Sequence, residues 1–69
     1  MPHFDLDEIT LMCLYNPGSR QELIDSLKEM LPYLSEDEWP LRNLANAVLR
    51  KLDTMTDAQF DEMSAEWEA

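Results

Sequence analysis

The sequence has very little cysteine, histidine or glycine, which many active sites, disulfide frameworks and phosphate-binding loops require. Its 69 residues include one cysteine, one histidine and one glycine. A single cysteine excludes an internal disulfide and is typical of a reducing compartment. A single glycine, Gly18, excludes a glycine-rich loop that cradles phosphate. The histidine, His3, precedes the first predicted helix, so no ordered Ser-His-Asp or Cys-His arrangement is indicated.

Basic residues are also scarce, which limits the kinds of partner. Five Lys and Arg residues stand against fifteen Asp and Glu residues, and the formal net charge is −10. A field of this sign repels nucleic acid and anionic membranes, so we expect neither as a direct partner. A DNA-binding helix-turn-helix would require the basic residues to gather on one face. Those residues are Arg20, Lys28, Arg42, Arg50 and Lys51.

Long apolar runs are missing as well. No run approaches the roughly 20 apolar residues that span a bilayer, and no basic segment followed by an apolar stretch marks a signal peptide. The sequence therefore predicts a cytoplasmic protein. It does not predict a disordered acidic tail, because 45% of the residues are apolar and they recur at helical spacing.

The sequence does contain four helix-start motifs of the capping-box type. In this motif the N-cap side chain accepts the N3 amide, and the N3 side chain accepts the N-cap amide. The four pairs are Asp5 with Glu8, Ser19 with Glu22, Ser35 with Glu38, and Thr56 with Gln59. Hydrophobic staples accompany three of them: Phe4 with Ile9, Leu34 with Trp39, and Met55 with Phe60.

These motifs predict a single all-α domain over residues 1–69, a small bundle of three main helices and a short fourth. We predict the helices at about residues 6–15, 20–31, 38–52 and 57–66. Asn16-Pro17-Gly18 ends the first helix, and Pro32 ends or kinks the second. Because Pro40 is tolerated only near a helix start, the turn from Ser35 to Glu38 is predicted to be loose or 3₁₀. Aromatic anchors, including Trp67, are expected to hold the fourth helix.

The first helix is apolar almost all round in its second half, which indicates burial or a contact surface. Leu6, Ile9, Met12 and Cys13 share one face, and we predict that Cys13 is a small buried hydrophobe. Leu11 and Leu14 lie on the other side of this helix. If the protein dimerised, these two leucines would belong to the self-interface; we expect a monomer or a weak homodimer.

No catalytic, metal-binding or cofactor-binding residue is predicted. Short acidic clusters exist, but none has the spacing and turn glycine of a calcium loop. Most aromatic residues lie at predicted helix ends, where staples and core edges account for them. Trp39, however, projects away from the main apolar stripe of the third helix, and with Leu11, Leu14 and Tyr15 it could form an exposed patch that binds a protein. The candidate partner-binding residues are Leu11, Leu14, Tyr15 and Trp39, together with the acidic pair Glu36 and Asp37.

A family resemblance extends over nearly the whole chain. Its residues are Phe4, Glu8, Leu11-Met12-Cys13-Leu14-Tyr15, Arg20, Leu23, Ile24, Leu27, Met30, Tyr33-Leu34, Glu36 to Glu38, Leu41, Leu44, Leu52, Met55-Thr56-Asp57-Ala58 and Phe60. With these residues the chain resembles the putative transposon-transfer assisting protein family, small acidic proteins encoded in conjugative transposons of gut-dwelling Firmicutes. Pro32 and Pro40 depart from the family pattern. The resemblance implies help with transfer and carries over no catalytic residue.

The residues and the resemblance together predict a noncatalytic accessory protein that docks on another protein. An acidic surface would speed encounter, and a few apolar anchors would supply affinity. The acidity is equally consistent with a surface that serves only solubility. The alternative is an acidic DNA mimic that inhibits a nucleic-acid enzyme or a host defence protein. That alternative requires carboxylates in rows at phosphate-like spacing on one face.

Overall fold

The computed structural model describes residues 3–15 and 18–66. Its α-helices are, in chain order, α1 (Leu6–Tyr15), α2 (Arg20–Met30), α3 (Trp39–Asp53) and α4 (Asp57–Ala65). Two 3₁₀ turns, Leu31–Tyr33 and Glu36–Glu38, connect α2 to α3. The predicted all-α class is confirmed, and each helix boundary lies within one residue of its predicted position.

All four helices contribute to one hydrophobic core. Its buried members are Phe4, Leu11, Met12, Leu23, Ile24, Leu27, Ala45, Val48, Leu52, Met55 and Phe60. Burying a large apolar side chain completely contributes about 1.5–3 kcal/mol. A chain this small has little other means of offsetting the entropy lost on folding. The helices therefore depend on this shared core more than on their individual propensities.

Two of the four predicted capping boxes are complete. The Asp5 amide donates to Glu8 Oε1 at 2.9 Å, and the Glu8 amide donates to Asp5 Oδ1 at 2.9 Å. The Thr56 amide donates to Gln59 Oε1 at 3.0 Å, and the Gln59 amide donates to Thr56 Oγ1 at 3.1 Å. These bonds satisfy amides at the starts of α1 and α4 that have no partner within the helix.

The other two motifs behave differently. At the start of α2 the Glu22 amide donates to the Ser19 hydroxyl at 3.2 Å, which is half of the predicted box. The predicted box at Ser35 is wrong. There the Glu38 amide donates to the Ser35 carbonyl at 3.0 Å, and the Ser35 hydroxyl donates to Glu38 Oε1 at 3.3 Å. This 3₁₀ turn places Pro40 in the first turn of α3, where its missing amide hydrogen costs no helical bond.

The inner face of α1 differs from the predicted one. Glu8, Leu11 and Met12 are buried, and their i, i+3, i+4 spacing places them on one stripe. Leu6 is 78% exposed, and Cys13 is also exposed. The prediction of a buried Cys13 was therefore wrong. Because the helix is apolar almost all round, its own pattern does not fix its orientation, and contacts with other elements decide it.

Three residues named in the sequence predictions lie outside the described residues. Asn16 and Pro17 belong to the predicted helix breaker, and Trp67 is a predicted anchor of the fourth helix. Gly18 follows the breaker and has a φ of +127°, a conformation that residues with a Cβ rarely adopt. The glycine is therefore required by the backbone at the entrance to α2.

Candidate partner-binding site

An apolar groove of about 230 Å³ runs between α1 and α3. Its lining residues are Asp7, Thr10, Leu11, Leu14, Leu41 and Leu44. Leu14 is 75% exposed, whereas Leu11 is only 4% exposed. Leu41 and Leu44 are partly buried and pack against the core. The groove thus continues the core to the surface, and a bound side chain would contact leucines on both helices.

This groove has few polar side chains, and its single charged lining residue is acidic. The Thr10 hydroxyl donates to the Leu6 carbonyl at 2.9 Å, so it is already engaged within α1. Asp7 is exposed and carries the only charge among the lining residues. The lining therefore combines an apolar surface with one carboxylate. Such a surface suits a ligand that presents an apolar group beside a cation.

Two of the predicted partner-binding residues, Leu11 and Leu14, line this groove. Leu11 is buried, because it belongs to the inner stripe of α1, so it is not an exposed anchor. Leu14 shares the groove with it and is the more accessible of the two. Tyr15, at the end of α1, is 39% exposed.

The remaining predicted residues lie at the beginning of α3. Trp39 is 62% exposed, and Glu36 and Asp37 are exposed in the preceding 3₁₀ turn. None of the three is among the residues that line the groove. Of the predicted residues, only Leu11 and Leu14 are thus among those that line the groove.

The sequence analysis named neither Leu41 nor Leu44 as a candidate partner-binding residue, although both line the groove. The apolar stripe of α3 also includes Ala45, Val48 and Leu52, which are fully buried. Leu41 and Leu44 remain only partly covered. The width of this stripe could have indicated the groove from the sequence, because a broad apolar face is not always covered completely by the neighbouring helices.

An ion pair between the buried Glu8 and the partly exposed Lys51 joins α1 to α3. Glu8 is 2% exposed, and its Oε1 lies 2.5 Å from the Lys51 ammonium nitrogen. That nitrogen also lies 5.4 Å from the centroid of the Phe4 ring, within cation–π range. Glu8 Oε2 is buried without a hydrogen-bond partner among the described residues. This pair is a direct contact between α1 and α3, the two helices that line the groove.

The basic residues are largely engaged by acceptors of the chain itself. Arg20 contacts Asp57 and the Leu52 carbonyl, Arg42 donates to the Leu34 carbonyl at 3.2 Å, and Lys51 pairs with Glu8.

A second groove of about 250 Å³ lies between α2 and α3, and it has a different charge character. It is lined by Ile24, Lys28, Leu49, Arg50 and Asp53. Two cations and one carboxylate therefore border this groove, whereas the α1–α3 groove has a single carboxylate. The two grooves offer opposite electrostatic surfaces to a ligand.

The described part of the chain has neither a metal-binding cluster nor a membrane-spanning helix. Across residues 3–15 and 18–66, no three His, Cys, Asp or Glu side chains are placed to hold a metal ion together. Within the same ranges no helix combines the length and the apolar character that crossing a membrane requires.

Fold and surface together define a small acidic helical bundle with an apolar groove open to solvent. The profile of the family described as putative transposon-transfer assisting protein matches residues 4–65, and the chain belongs to that family. The family resemblance inferred from the sequence is thereby confirmed. No curated protein and no solved structure matches the chain significantly.

Proposed function

We propose that this protein is a noncatalytic accessory of conjugative-transposon transfer that acts by binding another protein. Family membership supports a role in transfer. The observation that carries the binding proposal is the exposure of large apolar side chains on a strongly acidic chain. Leu6, Leu14, Tyr33 and Trp39 are each more than 60% exposed, and the formal net charge is −10.

The two surface properties have separate roles in this proposal. The net negative charge attracts a basic partner and raises the association rate, an effect that salt screens. Exposed leucine and aromatic side chains lose water on contact and supply most of the affinity. The partner is therefore a protein with a basic surface and apolar pockets or ridges.

We further propose that the protein acts in the cytoplasm. Cys13 is a free thiol on the surface of α1. Reducing compartments keep such a thiol from forming disulfides with other proteins. Direct contact with nucleic acid is not part of the proposal, because Arg20, Arg42 and Lys51 are already bonded within the chain.

Capture of the transposon's other proteins on the immobilised full chain tests this function. We expect one protein encoded by the same element to be retained at low salt and progressively released as salt rises. The variants Leu14→Ser and Trp39→Ser are expected to weaken its retention, and the control Lys28→Gln is not. If no protein of the element is retained at any salt concentration, the proposed function is wrong.

A further inference from the structure

We propose that the α1–α3 groove binds an amphipathic helix with a cationic flank, contributed by the partner protein. This inference deepens the proposed function and rests on it. The groove supplies the apolar contact, and Asp7 at its edge supplies the charge contact. Leu14 is the wall that the bound helix covers.

The size of the groove favours side-chain anchors over a small molecule. At about 230 Å³ it is smaller than the roughly 300–1,000 Å³ typical of small-molecule sites. An amphipathic helix needs less enclosed volume, because it places one or two apolar side chains at i, i+3 or i+4 in the groove and leaves its other face in water. Leucine walls from α1 and α3 match this mode of binding.

The negative charge of the groove predicts a cationic side chain on the flank of the bound helix. Asp7 is exposed, and no cation is among the residues that line the groove. Lys51, the basic residue paired with α1, has its ammonium group committed to the buried Glu8 carboxylate. A lysine or arginine beside the apolar anchors of the ligand would therefore meet a carboxylate that has no competing cation in the groove.

The same charge argues against a second copy of the chain as the occupant. Each copy carries a formal charge of −10, so pairing two acidic surfaces over one narrow groove is opposed by long-range repulsion. The negative field that repels a second acidic copy attracts a basic helix. The monomer is therefore the state that binds.

Two leucines of α1 provide a matched test. Leu6 and Leu14 are 78% and 75% exposed, but only Leu14 lines the groove. Neither substitution to serine removes a buried side chain, so both variants should fold, which circular dichroism checks. The probe is a synthetic peptide of roughly 14 residues, about four helical turns, with leucines on one face and lysines on its flanks. A scrambled peptide of the same composition is the control.

Binding is followed by amide chemical shifts of the isotope-labelled full chain. We expect the largest shifts at Thr10, Leu11, Leu14, Leu41 and Leu44. The protein should bind the scrambled peptide at least about tenfold more weakly than the amphipathic one. The Leu14→Ser variant should bind the amphipathic peptide about tenfold more weakly than the unsubstituted protein does, a difference in affinity that is readily measured. Leu6→Ser should leave the affinity unchanged.

Three results would overturn the groove assignment: equal binding of the two peptides, equal effects of the two leucine variants, or the largest shifts at Lys28 and Arg50. Each of them leaves a role in transfer intact, because the acidic surface could still recruit a partner elsewhere. Conversely, specific peptide binding in the groove with no capture of any protein of the element supports the site and contradicts the proposed function.

Discussion

Arg20 at the start of α2 is bonded to Leu52 near the end of α3. Its Nη1 donates to the Leu52 carbonyl at 2.8 Å, and its Nε donates to Asp57 Oδ1 at 2.7 Å. The last carbonyls of a helix have no partner within the helix. The Leu52 carbonyl also accepts the Met55 amide at 3.3 Å, and the guanidinium adds a charged donor to it while also contacting the first residue of α4. One side chain thereby connects three helices.

We expect Arg20→Met to lower the free energy of unfolding by about 1–3 kcal/mol, the range for a lost hydrogen bond from a charged donor. Asp57→Asn should cost less than about 1 kcal/mol, because Asp57 is 77% exposed and exposed ion pairs contribute little. Urea unfolding followed by circular dichroism measures both. Equal losses of unfolding free energy in the two variants would mean that the Arg20 bond to the Leu52 carbonyl adds no stability beyond that of the ion pair.

The Glu8–Lys51 pair provides the second prediction. We expect Lys51→Met to destabilise the fold by about 3 kcal/mol, because it leaves a buried carboxylate without a counter-ion. Glu8→Leu combined with Lys51→Met should recover part of that loss, since an apolar pair of similar volume removes the unmatched charge. Unfolding of the two single variants and the double variant completes the cycle. Additive losses would contradict a direct interaction.

The helix caps give a paired prediction. Thr56→Ala should cost about 1 kcal/mol, because it removes the side-chain acceptor of a complete capping box. Ser35→Ala should change the free energy of unfolding by less than about 0.5 kcal/mol, since the Ser35 side chain makes no capping bond to the backbone. Thermal and urea unfolding compare them. A larger loss at Ser35 would contradict the 3₁₀ geometry of that turn.

The exposure of Cys13 is checked by thiol labelling. We expect a disulfide reagent to modify the native protein completely and at a rate similar to that in denaturant, because the thiol lies at the surface. The control carries Cys13→Ser with Met12→Cys, which moves the thiol to a position that is 0% exposed. This control should react only as fast as the protein opens. Slow labelling of native Cys13 would restore the buried assignment.

Much of the fold was predictable because the signals that set helix boundaries are local. Ser19 and Thr56 are caps that act within one turn, and Pro32 ends α2 through its own backbone chemistry. The Ser35 box failed for an equally local reason. Pro40 restricted where α3 could begin, and the serine motif was accommodated as a 3₁₀ turn.

The candidate site was less predictable, because it depends on how α1 is rotated. Periodicity placed Cys13 inside and left Leu11 on the outer side, whereas the structure has the reverse. One contact that goes with this rotation joins Glu8 to Lys51, which are 43 positions apart. No rule based on short-range pattern favours burying a glutamate. Leu14 was identified as exposed, but Leu41 and Leu44 on the other side of the groove were not.

The buried carboxylate of Glu8 also has an evolutionary consequence. A replacement at position 51 alone leaves the buried carboxylate without its counter-ion, and a replacement at position 8 alone leaves the lysine without its partner. A joint replacement can restore a matched pair. Among descendants of this sequence that still fold, we expect changes at the two positions to be inherited together. Covariation between them would record, in sequence alone, that α1 and α3 are neighbours.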